Sequence, residues 1–562
     1  MPLMPLIALS QINFNLDLIG SYEWPSSEGS DIWGWADPLT EAEYALVGLN
    51  DGFACVDVSN PSNPVQKFYI SDINSTWRDV KTWGNYAYIT TEADAGLLIV
   101  DLTDMSGTTY WHVSNFTHPT NGSSVEFTAA HNLFIDENGI CYIFGASSNN
   151  GGNPSDGAIF LDVSTNPTAP DYLGEWDDEY IHDGMTRGDT MYAGCIYAGE
   201  LFIVDVSDKS NPNTIGTHST PNAFTHNAWV SDDGNYVFTT DEKSDAYIGS
   251  YDISDMSNIQ EIDRIQSNPE SNSIPHNTHV DGDFLITSWY RDGTTVHDIS
   301  NPHNLVQVAF YDSYSGSGDG FDGCWGTYPF LPSGNIISSE INSSTNQTAK
   351  LMIYERGFDQ ACYLEGNVTD ATNGNNLSGA SIEILNTSIT NNSTTNLLGY
   401  YASGTADAAI YDVVFSKPGY LTDTLQTTLL SGQIVILNAI LYIDNNVPIL
   451  GCTNPNASNY NPNANTSLVY GGELDNTFGP GGFFNGDQHL IFDTYENLLI
   501  KSAIFYAENP TTVTFELRNN IGIVIDDTTH SLIAGQQQLI LNFETPIGND
   551  FQLGISSGNS DL

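Results

Sequence analysis

The sequence predicts an all-β protein: a seven-bladed β-propeller, closed by an N-terminal strand, followed by two small β-sandwich domains. Three observations predict this fold class. A motif of an apolar run, Asp, an apolar residue and Ser or Thr recurs along the first 355 residues. Helix-like apolar periodicity is scarce, whereas Gly, Asn, Ser, Thr and Asp are abundant. Two later segments alternate apolar and polar residues, as half-buried strands do.

The repeated motif has six clear copies, with its Asp residues spaced 44, 61, 43, 47 and 46 residues apart. A seventh, degenerate copy is KLMIYERGF, with Glu355 near the Asp position. Repeats of this length, each holding several short strands, are typical of propeller blades. The side chain of each Asp can cap the turn that follows, so we assign these residues a structural role. They are Asp57, Asp101, Asp162, Asp205, Asp252 and Asp298.

Closure of the propeller is predicted from its two ends. The last copy of the motif lacks an outer strand of its own, and NLDLIGSYEW near the N-terminus resembles the outer strands of other repeats. We therefore expect residues 16–24 to pair with residues 350–356, which would remove an exposed sheet edge. This places the propeller at residues 12–358.

The other segments are assigned by composition and patterning. Residues 1–11 are a short apolar run, typical of the remnant of a signal peptide or, alternatively, of a frayed terminus. Residues 362–443 predict one β-sandwich, residues 444–470 an Asn/Pro-rich linker, and residues 471–562 a second, truncated β-sandwich. No segment approaches the length of a transmembrane helix.

Charge and cysteine content exclude several classes of function. The chain has 13 basic and 69 acidic residues and a formal net charge of −56, which argues against nucleic acid and anionic membranes as partners. Metal cations, basic partners and neutral glycans remain possible. The six cysteines form no CxxC pair, which excludes a zinc ribbon. Cys141 and Cys195 could form a disulfide or stay as buried thiols.

Polar and aromatic residues recur where the first strand of each repeat begins, counted back from the motif Asp. In a propeller these positions converge at one mouth of the central channel, so we predict a ligand-binding mouth there. His279 lies an odd number of residues after His276, so on a regular strand its side chain would face away from the channel mouth. The predicted ring consists of Trp35, Arg78, Asp79, His131, His182, Asp183, His226, His276 and Trp325.

Two interpretations of this ring stay open. Imidazoles are good ligands for transition metals, and carboxylates can orient them, so a divalent metal is a candidate cofactor. Alternatively, the polar residues only tie neighbouring blades together by hydrogen bonds. The acidic loop SGSGDGFDG, residues 315–323, could bind calcium or be a flexible loop. No catalytic residue is assigned. The candidate metal ligands are His131, His182, His226, His276 and His279.

Several segments together resemble the choice-of-anchor B family of exported bacterial propeller proteins, which are related to LVIVD repeats. They are DIWGWADP, WRDVKTWGNYAYITTEADAGLLIVDLTDM, HNLFIDENG, THNAWVSDDG and FDGCWGTYPFLPSGNIISS, and the resemblance spans residues 15–356. It implies an extracellular or cell-surface protein, and the family has no settled biochemical activity.

The C-terminal third is similar to modules of secreted bacterial proteins. Residues 362–442 resemble a carboxypeptidase regulatory-like domain with a transthyretin-like fold, which implies a spacer without catalytic residues. GCTNPNASNYNPNANTS resembles a linker motif of proteins exported by the type IX secretion machinery. The last segment resembles accessory sandwich domains, some of them associated with carbohydrate binding.

Two functions are consistent with these patterns. The first is ligand binding and adhesion, in which the channel mouth contacts a glycan or a surface protein. The alternative is a metal-dependent enzyme, a hydrolase or an oxidoreductase, with its centre at the histidines of the ring. The sequence does not separate them, and the geometry of the ring must do so.

Overall fold

The computed structural model describes residues 13–150, 154–269, 271–316, 318–342, 348–389, 392–444, 450–451, 466–467, 489–495 and 497–557. These residues form strands, turns and irregular segments, and none of them is helical, so the all-β prediction is confirmed. Residues 1–447 form one compact unit and residues 448–562 a second. The apolar run 1–11, Cys452, most of the predicted linker and the end of the chain lie outside the described residues.

Residues 13–356, called here the repeat domain, consist mainly of four-stranded antiparallel sheets. Each sheet is open, and most contain four consecutive strands of the chain. The first strands are β1 (Asn13–Phe14), β2 (Leu16–Pro25), β3 (Gly29–Ala36), β4 (Glu43–Leu49), β5 (Gly52–Asp57), β6 (Val65–Ser71), β7 (Val80–Trp83), β8 (Tyr86–Ile89), β9 (Leu97–Asp101) and β10 (Tyr110–Val113). A separate ribbon of β11 (Asn115–Thr117) and β12 (Ser124–Glu126) follows.

The next sheets continue the same order. Their strands are β13 (Asn132–Ile135), β14 (Ile140–Phe144), β15 (Ala158–Asp162), β16 (Asp171–Trp176), β17 (Asp183–Arg187), β18 (Thr190–Cys195), β19 (Glu200–Asp205), β20 (Asn213–Ser219), β21 (Thr225–Val230), β22 (Tyr236–Asp241), β23 (Ile248–Asp252), β24 (Gln260–Ile265), β25 (Pro275–Asp281), β26 (Phe284–Trp289), β27 (Gly293–Asp298) and β28 (Val306–Tyr311). Strand β1 adds to the edge of β28.

The last sheet of the repeat domain combines the two ends of that domain. Strands β29 (Cys324–Tyr328), β30 (Ile336–Glu340) and β31 (Thr348–Arg356) pair with β2 in the order β2-β31-β30-β29. Leu16 lies opposite Arg356 and Pro25 opposite Thr348, so the segments that pair are the two that the sequence predicts. The first strands of successive sheets contact each other, and β29 also contacts β3.

The motif Asp has the turn-capping role that the sequence predicts. In each clear copy a carboxylate oxygen accepts a hydrogen bond from the backbone N–H two residues later, for example from Ser164 to Asp162 at 2.8 Å. The capped turn follows the third strand of the sheet and directs the chain toward the fourth. The same bond occurs at Asp57, Asp101, Asp205, Asp252 and Asp298.

His297 replaces an apolar residue in the repeat. The equivalent position before the motif Asp holds Val56, Val100 or Val204 in other copies. His297 is fully buried, and neither ring nitrogen has a hydrogen-bond partner among the described residues. Burial lowers the pKa of His297 to about 3. This side chain shows that an unpartnered histidine alone does not indicate a site.

A β-sandwich follows the repeat domain within the same compact unit. Strands β35 (Tyr400–Thr405), β32 (Cys362–Asp370), β38 (Ile434–Ile436) and β39 (Ala439–Leu441) form one sheet. Strands β34 (Ser393–Thr394), β33 (Ser381–Ile384), β36 (Ala409–Ser416) and β37 (Asp423–Leu429) form the other. Their facing apolar side chains, including Leu364, Val413 and Phe415, make the core.

Hydrogen bonds attach this sandwich to the β25–β28 sheet. The Asp298 carboxylate accepts a bond from the Ala361 backbone N–H at 2.6 Å, in addition to capping its own turn. The Asn304 side-chain amide donates to the backbone carbonyl of Ser403 at 2.9 Å and is buried. The sandwich therefore has a fixed position on the repeat domain.

The second compact unit also has two layers of antiparallel strands. Strands β42 (His489–Thr494), β47 (Gly548–Ile555), β44 (Thr511–Arg518) and β45 (Val524–Leu532) form a sheet, and β43 (Leu498–Ala507) pairs with β46 (Gly535–Thr545). Phe515, Leu517 and Phe543 lie between them. Two short strands, β40 (Leu450–Gly451) and β41 (Thr466–Ser467), pair in parallel ahead of this sandwich.

Two remaining expectations can be compared with the described residues. Cys141 and Cys195 are free and buried, so they do not form the disulfide that the sequence allowed. Burial raises the pKa of both thiols, which leaves them protonated and unreactive at neutral pH. No helix in the described part of the chain has the length and apolarity needed to cross a membrane.

The pairing of β2 with β31 can be tested by a cross-link. Glu23 and Lys350 lie opposite each other and form an ion pair at 2.9 Å. We expect Glu23→Cys/Lys350→Cys to form a disulfide on mild oxidation and to stabilise the protein by about 2–4 kcal/mol, because the cross-link restricts the unfolded chain. Mass spectrometry and thermal unfolding measure this, with Glu23→Ser/Lys350→Ser as the control. Persistence of both new thiols as free thiols would contradict the pairing.

His297 predicts a specific acid sensitivity. Its pKa of about 3 in the folded protein lies below the ordinary value of 6.5, so below pH 6.5 the unfolded chain binds a proton that the folded chain does not. Stability is therefore lost as the pH falls from 6.5 toward 3. At pH 5 the loss from this residue should be about 2 kcal/mol. Urea unfolding at pH 7 and pH 5 measures this loss of stability. It should disappear in His297→Val and persist in the control His303→Ala, which changes an exposed histidine.

Candidate metal centre

Four histidines lie side by side where the first strands of four consecutive sheets begin. The ring centroids of His131 and His182 are 3.8 Å apart, those of His182 and His226 4.6 Å, and those of His226 and His276 4.2 Å. Each histidine lies at or next to the start of β13, β17, β21 or β25. The convergence expected from the repeat spacing therefore occurs for these four residues, called here the histidine arc.

The hydrogen bonds of the arc leave several ring nitrogens available. Nδ1 of His131 lies 2.6 Å from Oε1 of Glu92, and Nδ1 of His182 lies 3.2 Å from the Tyr180 hydroxyl. Nδ1 of His276 donates to the backbone carbonyl of Trp325 at 2.6 Å. This bond leaves Nε2 of His276 as its acceptor nitrogen. Partner groups of this kind fix the ring orientation of metal-binding histidines.

His226 lies at the middle of the arc with both ring nitrogens unpartnered in the described structure. The side chain is 2% exposed. Its nearest charged neighbour is Glu242, whose Oε2 lies 3.9 Å from Nε2 of His226. The other oxygen of Glu242 lies 3.8 Å from Nε2 of His276 and accepts a hydrogen bond from the Tyr290 hydroxyl at 2.7 Å.

Burial keeps His182, His226 and His276 uncharged at neutral pH. It lowers the pKa of His182 and His226 well below the usual value, and repulsion between neighbouring imidazolium rings lowers both further. Burial also lowers the pKa of His276 to about 3. The pKa of Glu242 is raised by burial to about 7. Neutral imidazoles beside one titrating carboxyl are the protonation states that a metal ion requires.

Two overlapping groups of ligand atoms are close enough to share a metal ion. Nitrogens of His131, His182 and His226 lie within 4.8 Å of one another, and so do atoms of His226, Glu242 and His276. Three imidazoles with a fourth position left for water or substrate are a typical ligand set of catalytic zinc. Elsewhere in the described part of the chain no third group of this kind occurs.

The space beside the arc is small. A cavity of about 10 Å³ is bordered by three residues of the arc and by polar residues below them. This volume suits one ion or water molecule and no larger ligand. The residues that border it are Asp31, Trp77, Arg78, Asp79, His131, Asn132, His226, His276, Asn277 and Trp325.

The residue after each arc histidine forms a second, structural layer. The Asn227 amide donates to the Asp183 carboxylate at 2.8 Å, and its oxygen accepts from the Thr278 backbone N–H at 3.3 Å. Asp79 accepts from the backbone N–H of Leu133 at 2.9 Å. These bonds link neighbouring sheets. The alternative role that the sequence left open, tying blades together, therefore describes this layer rather than the histidines.

A buried lysine neutralises the second layer, and the sequence reasoning missed it. Nζ of Lys81 lies 2.5 Å from Asp79 and 3.6 Å from Asp31. Burial lowers the pKa of Lys81, but the two carboxylates more than reverse this and raise it. Burial and repulsion from Asp79 raise the pKa of Asp31 well above its usual value. The Lys81 ammonium thus pairs with the Asp79 carboxylate in this layer.

Two residues of the predicted ring, Trp35 and Arg78, do not place their polar groups at the arc. The indole of Trp35 donates to the Gly84 carbonyl at 2.9 Å and does not border the cavity. The connection between β3 and β4 is six residues long, against two between β25 and β26, which explains the error in counting; Asp31 borders the cavity instead. The Arg78 guanidinium turns away to Asp72, although the residue borders the cavity.

The sequence also predicts His279 as a metal ligand, and the structure corrects this assignment. A register shift between Pro275 and Thr278 makes the strand entry irregular. His279 then lies in an aromatic layer, 4.5 Å from the Trp229 ring and 5.9 Å from that of Phe330. It belongs to neither group of potential ligand atoms in the described chain.

Exposed aromatic side chains surround the arc. Trp77 borders the cavity and is 43% exposed. Tyr197, 77% exposed, packs on Tyr180, and Phe321, 57% exposed, packs on Tyr290. Phe321 lies in the acidic loop proposed for calcium, where Asp322 pairs with Arg291 instead of meeting other carboxylates. Sequence spacing gave no signal for this aromatic rim, because its residues come from loops of different lengths.

The ion pair of Lys81 should be important for stability. Replacing Lys81 by Met leaves Asp79 buried without its cation. Lys81→Met should therefore lower the free energy of unfolding, measured in urea, by about 3–5 kcal/mol. The control is Lys67→Met, which removes a partly exposed ion pair with Asp57 at 3.7 Å. That change should alter stability by about 0–1 kcal/mol. Equal effects of the two variants would show that the buried pair is not structurally important.

Comparisons with known proteins agree with the repeats and with the first sandwich. LVIVD repeats match residues 41–72, 76–126 and 195–220, and a carboxypeptidase regulatory-like domain matches residues 363–442. None of the curated proteins matches the sequence. The chain therefore contains LVIVD repeats, which are of β-propeller type, and a carboxypeptidase regulatory-like domain.

Solved structures give only distant similarities. The Myceliophteria thermophila Cps50 (Swd1) β-propeller domain is 8% identical, with a TM-score of 0.40, covering 60% of this chain and 99% of that one. A putative 6-phosphogluconolactonase from Bacteroides uniformis is 13% identical, with a TM-score of 0.37, covering 50% and 84%. At these scores neither similarity bears on the function of this chain.

Proposed function

We propose that this protein is a metal-dependent hydrolase whose zinc ion is held by His131, His182 and His226. The observation that carries the proposal is the placement of these three imidazoles, whose nitrogens lie within 4.8 Å of one another. No cysteine or methionine belongs to the two ligand groups found in the described residues, and imidazoles with a carboxylate suit zinc.

The proposal includes a seven-bladed, closed propeller. Its support is the pairing of β2 with β31 and the contact of β29 with β3, which continues the series of contacts between neighbouring first strands. In such a ring the first strands surround a channel, and the arc lies at one mouth of it. The aromatic layer around His279 and Trp229 fills the channel beyond the second layer.

Scaffolding alone is a poor explanation of the arc. A buried polar atom without a partner costs about 1–3 kcal/mol, and His226 contributes two such nitrogens. His297 has the same defect in an apolar core, so this cost can be tolerated at one residue. What distinguishes His226 is that its nitrogens face two other imidazoles and the Glu242 carboxylate.

Glu242 is the residue we assign to proton transfer. A bound zinc ion would polarise water or a carbonyl group of the substrate. Glu242, whose Oε2 lies 3.9 Å from Nε2 of His226, can accept a proton from an attacking water. The Tyr290 hydroxyl holds its Oε1, which leaves Oε2 directed toward His226.

The substrate must bind above the arc because the cavity beside it is too small. At about 10 Å³ it admits no organic group, so only the edge of a substrate reaches the histidines. The exposed rim of Trp77, Tyr197 and Phe321 offers flat apolar surfaces on that side. We propose that these rings position the rest of the substrate.

The same rim supports a second candidate function, glycan binding and adhesion without chemistry. Exposed aromatic rings around a channel mouth suit stacking with sugar rings, and the acidic chain favours neutral partners. A glycan array compares the two candidates: binding lost in Tyr197→Ala but retained in His226→Ala favours adhesion. Absence of binding to every glycan on the array would count against it.

We also propose that the protein is exported and acts at the cell surface. The support is the resemblance to the choice-of-anchor B family, together with the LVIVD repeats and the carboxypeptidase regulatory-like domain. The resemblance of the linker to those of type IX-secreted proteins suggests the same route. Labelling of surface-exposed proteins on intact cells that carry the native gene tests this. Detection of the protein only inside the cells would exclude it.

Metal content tests the main proposal. The chelator-treated full chain should bind one zinc ion in titration calorimetry, and both His226→Ala and His182→Ala should lose it. His297→Val is the matched control, because it removes another buried, unpartnered histidine and should retain the ion.

Two outcomes would contradict the proposal. One is unchanged zinc binding in both arc variants, and the other is equal loss in the control. The loaded wild type should also hydrolyse activated ester or phosphoester probes, and Glu242→Gln should lower kcat at least tenfold while zinc stays bound. Full zinc occupancy without hydrolysis of any probe would leave the ion without the proposed role and would contradict the hydrolase assignment.

A further inference from the structure

A second cavity, larger than the one at the arc, lies where the repeat domain meets the first sandwich. Its volume is about 220 Å³. The repeat domain supplies Asp292, Gln307 and Asp312, and Ile389 comes from the sandwich loop after β33. Cavities at domain junctions that combine apolar walls with a few polar groups are common ligand sites.

The cavity is acidic and has no cation of its own. No lysine or arginine is among its described lining residues. Asp292 accepts hydrogen bonds from the hydroxyls of Ser267 at 2.5 Å and Ser271 at 2.7 Å, and Asp312 accepts one from the Tyr314 backbone N–H at 3.1 Å. Burial raises the pKa of both carboxyls, that of Asp312 to about 7, and their mutual repulsion adds to this for Asp312.

An unpartnered amide also faces the cavity. Gln307 is 4% exposed and borders the cavity. Within the described chain its side-chain amide has no hydrogen-bond partner, unlike the buried amide of Asn304 on the same sheet edge. Because Gln307 borders the open space of the cavity, a ligand hydroxyl or N–H there would form a hydrogen bond with its amide.

The remaining walls are apolar. Phe310, Pro269 and Ile389 border the same space as the two carboxylates. A hydrated metal ion gains nothing from such walls, whereas alkyl groups next to a positive charge gain from both apolar contact and the aromatic ring. The volume suits a molecule of about seven to ten heavy atoms, given that water occupies roughly 30 Å³ in the liquid.

We propose that this cavity binds a small organic ammonium ion between the repeat domain and the sandwich. Asp292 and Asp312 neutralise the ammonium group, Phe310 and Ile389 contact its alkyl groups, and Gln307 bonds a polar end of the ligand. The site is separate from the histidine arc and stands without the proposed hydrolase function. It gives the first sandwich a part in ligand binding.

Choline is a suitable probe because 3,3-dimethyl-1-butanol has the same shape without the charge. Calorimetry on the full chain should detect saturable choline binding and none of the alcohol. Asp312→Asn and Asp292→Asn should weaken binding at least tenfold. Asp189→Asn, which removes an exposed carboxylate elsewhere on the repeat domain, should not change it.

Gln307→Leu distinguishes loss of the binding site from loss of the folded structure. It keeps the size of a buried side chain and removes only its amide, so thermal unfolding should be unchanged while choline binding falls several-fold. The proposal is overturned if choline does not bind, if the neutral alcohol binds equally well, or if the two Asp variants bind choline like Asp189→Asn.

Discussion

The crowding of side chains where neighbouring first strands meet is the constraint on which the rest of the repeat domain depends. Successive first strands contact one another, so residues at equivalent positions must share a narrow space. The structure fills it in layers: histidines at the entry, carboxylates and amides around Lys81 below them, and aromatic rings around His279 beyond.

The second layer explains why the histidines can stay unsatisfied. Asp183, Asn227 and Asp79 use their polar atoms on backbone groups and on each other, so they hold the sheets in place without using the imidazoles. The Lys81 ammonium balances the negative charge there. The arc itself keeps few such contacts: Nδ1 of His131 lies beside Glu92, Nδ1 of His182 beside the Tyr180 hydroxyl, and Nδ1 of His276 donates to a backbone carbonyl.

Sequence periodicity was sufficient for the repeats, for the turn-capping Asp residues and for the convergence of four histidines. It failed where the backbone departs from the regular period. The long β3–β4 connection displaced the count at Trp35, and the register shift in β25 leaves His279 in the aromatic layer rather than at the entry. Lys81 and Glu242 were missed because Lys81 reaches Asp31, and Glu242 reaches His276, across sheets, which spacing along the chain does not encode.

The first sandwich is more than the spacer that its resemblance implied. Asp298 illustrates this, because one carboxylate both caps a repeat turn and accepts the Ala361 N–H that fixes the sandwich. The cavity beside Ile389 lies at the same junction. One molecule thus carries a histidine cluster at the entry of the first strands and an acidic cavity at a domain junction.

Crystals of the zinc-loaded protein provide the most direct test of the central claim, through anomalous diffraction measured on both sides of the zinc absorption edge. The account predicts one strong anomalous peak bounded by the imidazole nitrogens of His131, His182 and His226. A zinc peak elsewhere with none at the arc, or rings of the arc bonded only to water and to each other, would contradict it.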